Sequence, residues 1–203
     1  MDINRFLEKL GSAAPTPGGG SASALAGALS ASLILMTVGL SLKKGGLREK
    51  EIREIKKDVL AIRKRLFRAI EEDAKSYETV LRAFRLPKNT EKQRLIRTKA
   101  IQKAYQKATV TPQLVCQQSM RLLGYSHILI QKGNPNAVSD AGVAAFLADA
   151  AVEGGSINIC INLSPIRDKS FRKKIGLLVR TLEKRRNLLM VRVEKELRLT
   201  LAI

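Results

Sequence analysis

A single carboxylate interrupts the apolar face of a long predicted helix. From Leu47 to Leu86, apolar residues recur every three or four positions, and the one gap in this pattern falls at Asp73. Because an unpaired buried charge is costly, burial should raise the pKa of Asp73 and let it exchange protons near neutral pH. The same pattern is equally consistent with an ion pair between Asp73 and an Arg or Lys across a bundle.

A second polar cluster lies where a turn passes into a helix. Pro135 keeps the preceding residue out of the α region, which predicts a turn here. The residues after the turn are mostly small and apolar and predict a helix. Ser139 or Asp140 is expected to cap this helix. A few polar groups on a packed scaffold are typical of a binding site. The polar members of the cluster are Asn134, Asn136, Ser139 and Asp140.

A glycine-rich loop is the third candidate. Pro17, Gly18, Gly19 and Gly20 lead into a helix predicted to begin near Ser21. Free amides at a helix start attract anions, and glycines let a ligand approach the backbone. No Gly-Lys-Ser/Thr follows, so the loop is not a phosphate-binding loop of the Walker type. A flexible lead-in to the helix explains the loop equally well.

The composition limits the class of protein. The chain has 203 residues, 45% of them hydrophobic and only 4% aromatic, which favours closely packed helices in a single domain spanning residues 1–203. Its two cysteines, Cys116 and Cys160, form no disulfide framework or metal-binding pattern, so a reducing, cytoplasmic location is expected.

The net charge of +19 predicts affinity for polyanions. Most of this charge is explained by solvated helix faces rich in Lys and Arg. Nucleic acid is an unlikely partner because the chain lacks aromatic residues between the basic ones and any nucleic-acid-binding motif.

The other elements are also predicted to be helical. No charged residue occurs from Ser12 to Leu42. We interpret the part that follows the glycine loop as a central bundle helix buried on all sides, and its small residues argue against a membrane span. Thr90 and Gln93 suggest a capping box. Pro112 is expected to kink or split the following helix, and a short separate helix is expected from Tyr125 to Lys132.

The C-terminal third carries two further predicted helices. The first starts near Ser139 and should be weakened at Gly154-Gly155, with a bent continuation to Leu163. The Asn and Ile alternation in this continuation would suit a strand, but no partner strand is visible. Asn158 and Asn162 are also four residues apart, which places them on one helical face and favours a helix. The last helix spans roughly Asp168 to Leu199. The predicted fold is therefore all-α, an up-and-down bundle of long helices around a central helix rich in small residues.

Four segments of the chain resemble the cyclodeaminase/cyclohydrolase family. They are FLEKLGSAAPTPGGGSASALAGAL, RLPKNTEKQRLIR, GNPNAVSDAGVAAFLADAA and NICINL, in the same order from Phe6 to about Leu163. The resemblance implies a helical bundle, usually a homodimer, that binds a tetrahydrofolate derivative. The implied reactions are hydrolysis of methenyltetrahydrofolate to formyltetrahydrofolate, or closure of formiminotetrahydrofolate to methenyltetrahydrofolate with release of ammonia.

The resemblance also suggests roles for the candidates. Asp73 and Asp140 match acidic positions of the family, and Asp73 is the candidate general acid and base. Asp140 and the neighbouring asparagines would hold the pterin edge, the glycine loop matches the family's first motif, and Lys88 would meet the glutamate carboxylates. This chemistry requires no metal or redox cofactor. The strong basicity would suit polyglutamylated folates, and it would equally suit adaptation to heat or an accessory partner.

Two other functions remain open on the sequence alone. The first is a folate-binding or scaffold protein that keeps the fold without catalysis. The second is a basic helical protein that binds nucleic acid.

Overall fold

The fold is described by a computed structural model for residues 2–42 and 44–202. Its helices are α1 (Ile3–Leu10), α2 (Gly19–Ser41), α3 (Glu49–Phe84), α4 (Glu91–Ala108), α5 (Val110–Lys132), α6 (Val138–Leu163) and α7 (Lys169–Leu201). A 3₁₀ turn, Pro135–Ala137, connects α5 to α6. No strand occurs in the described ranges. Residues 156–163, whose alternation of Asn and Ile would also have suited a strand, belong to α6.

The long helices run up and down, as predicted. In the middle of α2, Ser30 Oγ donates a hydrogen bond of 2.7 Å to the carbonyl of Ala144 in α6. At the end of α2, the carbonyl of Leu40 accepts a hydrogen bond of 2.9 Å from Asn134 Nδ2, just before α6 begins. These two contacts make α2 and α6 antiparallel.

Helix α2 has the central position that its composition predicted, since it packs against α3, α5 and α6. Its buried small residues are Gly20, Ser21, Ser23, Ala24, Gly27, Ala28, Ser30 and Ala31. The prediction that it is buried on all sides is wrong, because Leu29, Met36 and Leu40 on its outer face are more than 40% exposed. By length and composition alone, α2 and α6 could each cross a membrane, but 50% and 44% of their most apolar windows are buried within the bundle.

The glycine pair in α6 does not interrupt the helix. Helix α6 is continuous from Val138 to Leu163. A β-carbon at Gly155 would lie 2.5 Å from Cys116 Sγ and 3.2 Å from the carbonyl oxygen of Pro112, both in α5. Gly155 is therefore a point of close packing between α5 and α6, a role that local helix propensity does not report.

Of the other predicted helix ends, one is confirmed and two differ. The capping box of Thr90 and Gln93 is confirmed at the start of α4. The break before α5 falls at Thr109, because Pro112 sits in the first turn of α5, where a proline needs no amide partner. The separate helix predicted from Tyr125 to Lys132 is simply the end of α5.

The start of α6 also differs. Its N-cap is Ala137 and no side chain caps its free amides, so the predicted cap by Ser139 or Asp140 is wrong. Asn134 instead caps the 3₁₀ turn, where its side-chain oxygen accepts a hydrogen bond from the amide of Asn136.

Two helical glycines give a matched test of the packing. Gly155→Ala should lower the free energy of unfolding by about 1–3 kcal/mol, because the added methyl overlaps Cys116 and the α5 backbone. Gly124→Ala meets no atom within 4 Å and should raise the free energy of unfolding by roughly 0.5–1 kcal/mol. Urea unfolding of both variants measures the difference. Equal stabilities would show that α5 and α6 are not tightly packed at Gly155.

Candidate functional site

A cavity of about 420 Å³ opens where the start of α2, the last third of α3 and the end of α6 meet. This volume is in the range of small-molecule sites. Its lining combines backbone and polar groups with a few apolar side chains. The lining residues are Pro15, Thr16, Gly18, Gly19, Gly20, Asp73, Ser76, Tyr77, Val80, Tyr105, Ala108, Asn158, Ile161, Asn162, Ser164 and Pro165.

Asp73 is the carboxylate of this cavity. It is partly buried on α3, and Ser21 Oγ on α2 donates to its Oδ2 across 3.2 Å. Burial raises the pKa of Asp73 above its ordinary value, and the hydrogen bond from Ser21 opposes this rise. No ion pair between Asp73 and a basic side chain occurs within residues 2–42 and 44–202, so the cross-bundle partner considered from sequence is not found there.

Ser21 can serve both protonation states of Asp73. Its hydroxyl also lies 2.8 Å from the carbonyl oxygen of Ile70, to which it can donate instead. When Asp73 is ionised, the Ser21 proton can turn toward the carboxylate. When Asp73 is protonated, Ser21 can donate to Ile70 and accept the proton of the carboxylic acid. This arrangement suits a group that gains and loses a proton.

Gly20 makes room for the Asp73 carboxyl group. A β-carbon at this position would lie 2.6 Å from Asp73 Oδ2, closer than any real contact. The next residue toward the N-terminus, Gly19, is less restricted, because its β-carbon would make an ordinary contact of 3.6 Å with Asn158 Nδ2. Gly18 is the N-cap of α2 and has no side chain with which to cap the backbone amides that follow it. Backbone amides and a carboxyl group therefore share one wall.

Two asparagines on α6 form the opposite wall. Asn158 Nδ2 donates to the carbonyl of Gly154 across 2.7 Å, and Asn162 Nδ2 donates to the carbonyl of Ala108 across 3.0 Å. Neither side-chain oxygen has a hydrogen bond to any described residue, so both can accept from a ligand. The sequence offered a signal for this pair, since amides four residues apart share a helix face, but we used their spacing only to predict a helix.

The structure brings some predicted site residues together. Gly18, Gly19, Gly20 and Asp73 line the cavity, and Ser21 contacts it through Asp73. Pro17 lines a neighbouring groove against α1. Lys88 is exposed in the connection from α3 to α4 and lines neither space. Tyr77 on α3 is 43% exposed and lines the cavity.

The second predicted cluster lies at the other end of the bundle. Asp140 precedes Asn158 by 18 residues of one helix, which separates them by about 27 Å. Asn136 and Ser139 are exposed, and none of the four clustered residues lines the cavity. Asn134 fixes the connection between α5 and α6 to the end of α2. Its backbone amide donates a hydrogen bond of 2.9 Å to Ser41 Oγ, and its side-chain Nδ2 donates to the carbonyl of Leu40. Within one chain, Asp73 and Asp140 share no cavity.

No group of three or more His, Cys, Asp or Glu side chains comes together in the described ranges, so these residues offer no evident metal site. The polar groups of the cavity are one carboxyl group, backbone amides, hydroxyls and two carboxamides. Such a set can hydrogen-bond a flat heterocycle and transfer a proton.

The fold and the cavity define a helical-bundle protein with a cavity of the size that small organic ligands occupy. The chain belongs to the formiminotransferase-cyclodeaminase family, whose profile matches residues 2–179. It is 34% identical over 174 residues to a methenyltetrahydrofolate cyclohydrolase from Methylorubrum extorquens, covering 85% of this chain and 84% of that protein. It is also 29% identical over 174 residues to a formimidoyltransferase-cyclodeaminase from Rattus norvegicus, of which it spans about a third (32%).

A solved structure has the same fold. A formiminotetrahydrofolate cyclodeaminase from Thermotoga maritima superposes with a TM-score of 0.87 at 28% identity, covering 97% of this chain and 96% of that one. The family resemblance and the all-helical fold expected from sequence are thus confirmed.

Ser21→Ala tests the environment of Asp73. Loss of the Ser21 hydrogen bond, which lowers the pKa of Asp73, should raise that pKa further. The pKa is measured by carboxyl-carbon NMR, with Asp73→Asn to assign the signal. Ser32→Ala is the matched control, because Ser32 lies on the same helix and bonds only the carbonyl of Ala28. An Asp73 pKa that is the same in all three serine backgrounds would contradict the contact.

Proposed function

We propose that this protein is a folate enzyme that acts at the one-carbon bridge between two nitrogens of tetrahydrofolate, and that the cavity around Asp73 is its active site. The observation that carries the proposal is a partly buried carboxyl group, with a pKa raised by burial, between free backbone amides and two free amide oxygens. The family membership and the similarity to a cyclohydrolase over most of both chains support the substrate class.

The cavity suits a reduced pterin. The pterin edge carries N–H donors, and the free oxygens of Asn158 and Asn162 are acceptors. Tyr77 and Ile161 provide apolar surface beside them. In this proposal the two α6 asparagines take the role that the sequence suggested for Asn134 and Asn136, because they lie on the same cavity as Asp73.

The chemistry needs one group that accepts and returns a proton. The methenyl carbon is already cationic, so water can add to it once the oxygen loses a proton. Asp73 takes this proton as the new C–O bond forms. The adduct then collapses: its hydroxyl proton is lost to solvent, one C–N bond breaks, and Asp73 returns its proton to the departing nitrogen. A positioned water and a single carboxyl group, its pKa raised by burial, suffice for this sequence of steps.

Cyclodeamination is a second candidate, favoured by the structural similarity to the Thermotoga maritima cyclodeaminase. In this reaction a folate nitrogen attacks the formimino carbon, and the formimino nitrogen leaves as ammonia. In the hydrolysis, by contrast, the leaving group is a folate nitrogen. The proton that Asp73 removes from the attacking nitrogen would be returned to the departing amine. Both candidates therefore use the same carbon and the same carboxyl group.

Asp73→Asn should lower kcat for both reactions by at least about 100-fold, because the amide cannot accept the proton. Hydrolysis is followed by the loss of methenyltetrahydrofolate absorbance. Cyclodeamination of the formimino compound is followed by the appearance of the same absorbance. Full activity in the variant would refute the role of Asp73.

The stability of this variant separates chemistry from misfolding. A raised pKa means that the folded state holds the Asp73 proton to higher pH than the unfolded chain, so the wild type loses stability as the pH rises through this window. Asn does not titrate. Asp73→Asn should therefore be at least as stable as the wild type at pH 8. Unlike the wild type, it should not gain free energy of unfolding from residue 73 as the pH falls toward the ordinary carboxyl pKa.

A homodimer completes the proposal. Helix α6 exposes a row of large apolar side chains along one face: Val143, Phe146, Ile157 and Ile161. Such a face favours packing against a second copy. If two α6 helices pack antiparallel with Ala150 at the centre, Asp140 of one chain, ten residues before Ala150, comes beside Cys160 of the other, ten residues after it. Asp140 would then reach the rim of the second chain's cavity near Ile161.

Mixing of two inactive variants tests this shared site. Asp73→Asn and Asp140→Asn should each be inactive as homodimers. After unfolding and joint refolding, half of the dimers are mixed and one of their two sites has both aspartates, so about a quarter of the wild-type activity should return. Full activity of Asp140→Asn alone, or no recovery on mixing, would remove Asp140 from the site.

A further inference from the structure

Helix α4 forms one wall of the candidate active site and contributes Tyr105 and Ala108 to its lining. Its apolar contact with α3 is small. The buried residues of this contact are Val80, Ala83, Ala104 and Ala108, three of which are alanines. Alanine side chains bury little apolar area, so this packing alone holds α4 only weakly against the bundle.

The outer face of α4 adds no local stabilisation. Lys99, Lys103 and Lys107 are exposed and follow one another at intervals of four residues, which places like charges one turn apart. None of the three forms an ion pair with a carboxylate in residues 2–42 and 44–202. Repulsion at this spacing destabilises a helix. The position of α4 therefore depends on its ties to other elements of the bundle.

Gln102 provides such a tie, because one carboxamide group bonds α4 to the connection between α6 and α7. Its Nε2 donates a hydrogen bond of 2.9 Å to the carbonyl of Pro165, and its Oε1 accepts one of 2.7 Å from the backbone amide of Arg167. Since the carboxamide is planar, the two bonds together fix both distance and direction. Ile166 lies between the two bonded residues and is only 1% exposed, so the connection is itself anchored in the bundle.

The connection that Gln102 bonds belongs to the cavity. Pro165 lines the cavity, and Asn162 just before it donates from Nδ2 to the carbonyl of Ala108 at the end of α4. Gln102 itself does not line the cavity. Two carboxamides, one on each helix, therefore join α4 to the end of α6, and Tyr105 lies between the two joined points of α4.

We propose that Gln102 is a positioning residue of the candidate active site. It fixes α4 against the connection between α6 and α7, and it thereby keeps Tyr105 and Ala108 at a set distance from Asn162. This inference rests on the proposed function. Gln102 contacts neither the ligand nor the reacting carbon, and Asp73 is held separately by α2 and α3. Loss of Gln102 should therefore weaken ligand binding and leave the proton transfer unchanged.

Steady-state kinetics with methenyltetrahydrofolate and with the formimino compound test this role. Gln102→Ala should raise KM about tenfold, the size expected for the loss of two hydrogen bonds. It should change kcat by less than about twofold, because the lost contacts act on binding and not on the chemical step. The matched control is Gln106→Ala, one turn farther along α4, whose side chain forms no hydrogen bond within the described residues. The control should keep the wild-type KM and kcat.

Gln102→Glu separates hydrogen bonding from packing. The carboxylate has nearly the same size and can still accept a hydrogen bond from the Arg167 amide, but it has no proton to donate to the Pro165 carbonyl. This variant should also raise KM. A wild-type KM in either Gln102 variant, or a fall in kcat without a rise in KM, would overturn the positioning role and leave the enzyme function intact.

Amide hydrogen exchange, followed by mass spectrometry, measures the position of α4 without turnover. Gln102→Ala should speed exchange several-fold in peptides from α4 and leave peptides from α5 unchanged, whereas Gln106→Ala should leave both unchanged. Tetrahydrofolate should slow exchange in α4 of the wild type. Equal exchange in the two variants would overturn the proposal. A protein that neither binds tetrahydrofolate nor turns over either substrate would refute the proposed function, and the positioning role with it.

Discussion

The close contact between Gly20 and Asp73 is the constraint on which the site depends. Helix α2 can approach α3 at this point because position 20 has no side chain, and the space that a β-carbon would fill is occupied by the Asp73 carboxyl group. Ser21, the next residue, bonds both this carboxyl group and the α3 backbone. The free amides at the start of α2 and the carboxyl group of α3 are thereby held on one wall of a single cavity.

The same principle organises the rest of the bundle. Helices α2 and α6 are rich in Gly, Ala and Ser, so they pack closely and leave their few polar side chains at defined places. Where the glycines and serines lie within the helix, as at Gly155 and Ser30, they make the contacts that hold neighbouring helices together. Where the helix ends, as at Asn158 and Asn162, the polar side chains face a cavity. The proposed active site therefore lies at one end of the bundle.

Much of this fold could be predicted from the sequence, because helix formation is local. The apolar periodicity of α3, the capping box at Thr90 and the uncharged stretch of α2 each indicated a helix that the structure contains. The errors arose where packing outweighs local propensity. Gly154-Gly155 would weaken an isolated helix, yet it lies in the middle of α6 because α2 and α5 need the space.

The site was harder to predict, because it depends on which helix ends meet. The register of α3 singled out Asp73, and the glycine loop was recognised, but nothing local to Asn134 or Asp140 revealed that they lie at the far end of α6. Conversely, Asn158 and Asn162 had a spacing that served only to assign a helix. An antiparallel bundle joins the start of one helix to the end of another, so residues that are distant in sequence form the cavity.

The most direct test of the account is a crystal structure of the protein with a stable tetrahydrofolate analogue. The account predicts a pterin in the cavity between α2, α3 and α6, hydrogen-bonded to Asp73 and to an amide oxygen of Asn158 or Asn162. A pterin bound instead at the start of α6, beside Asn134 and Asn136 and away from any Asp73, would contradict it.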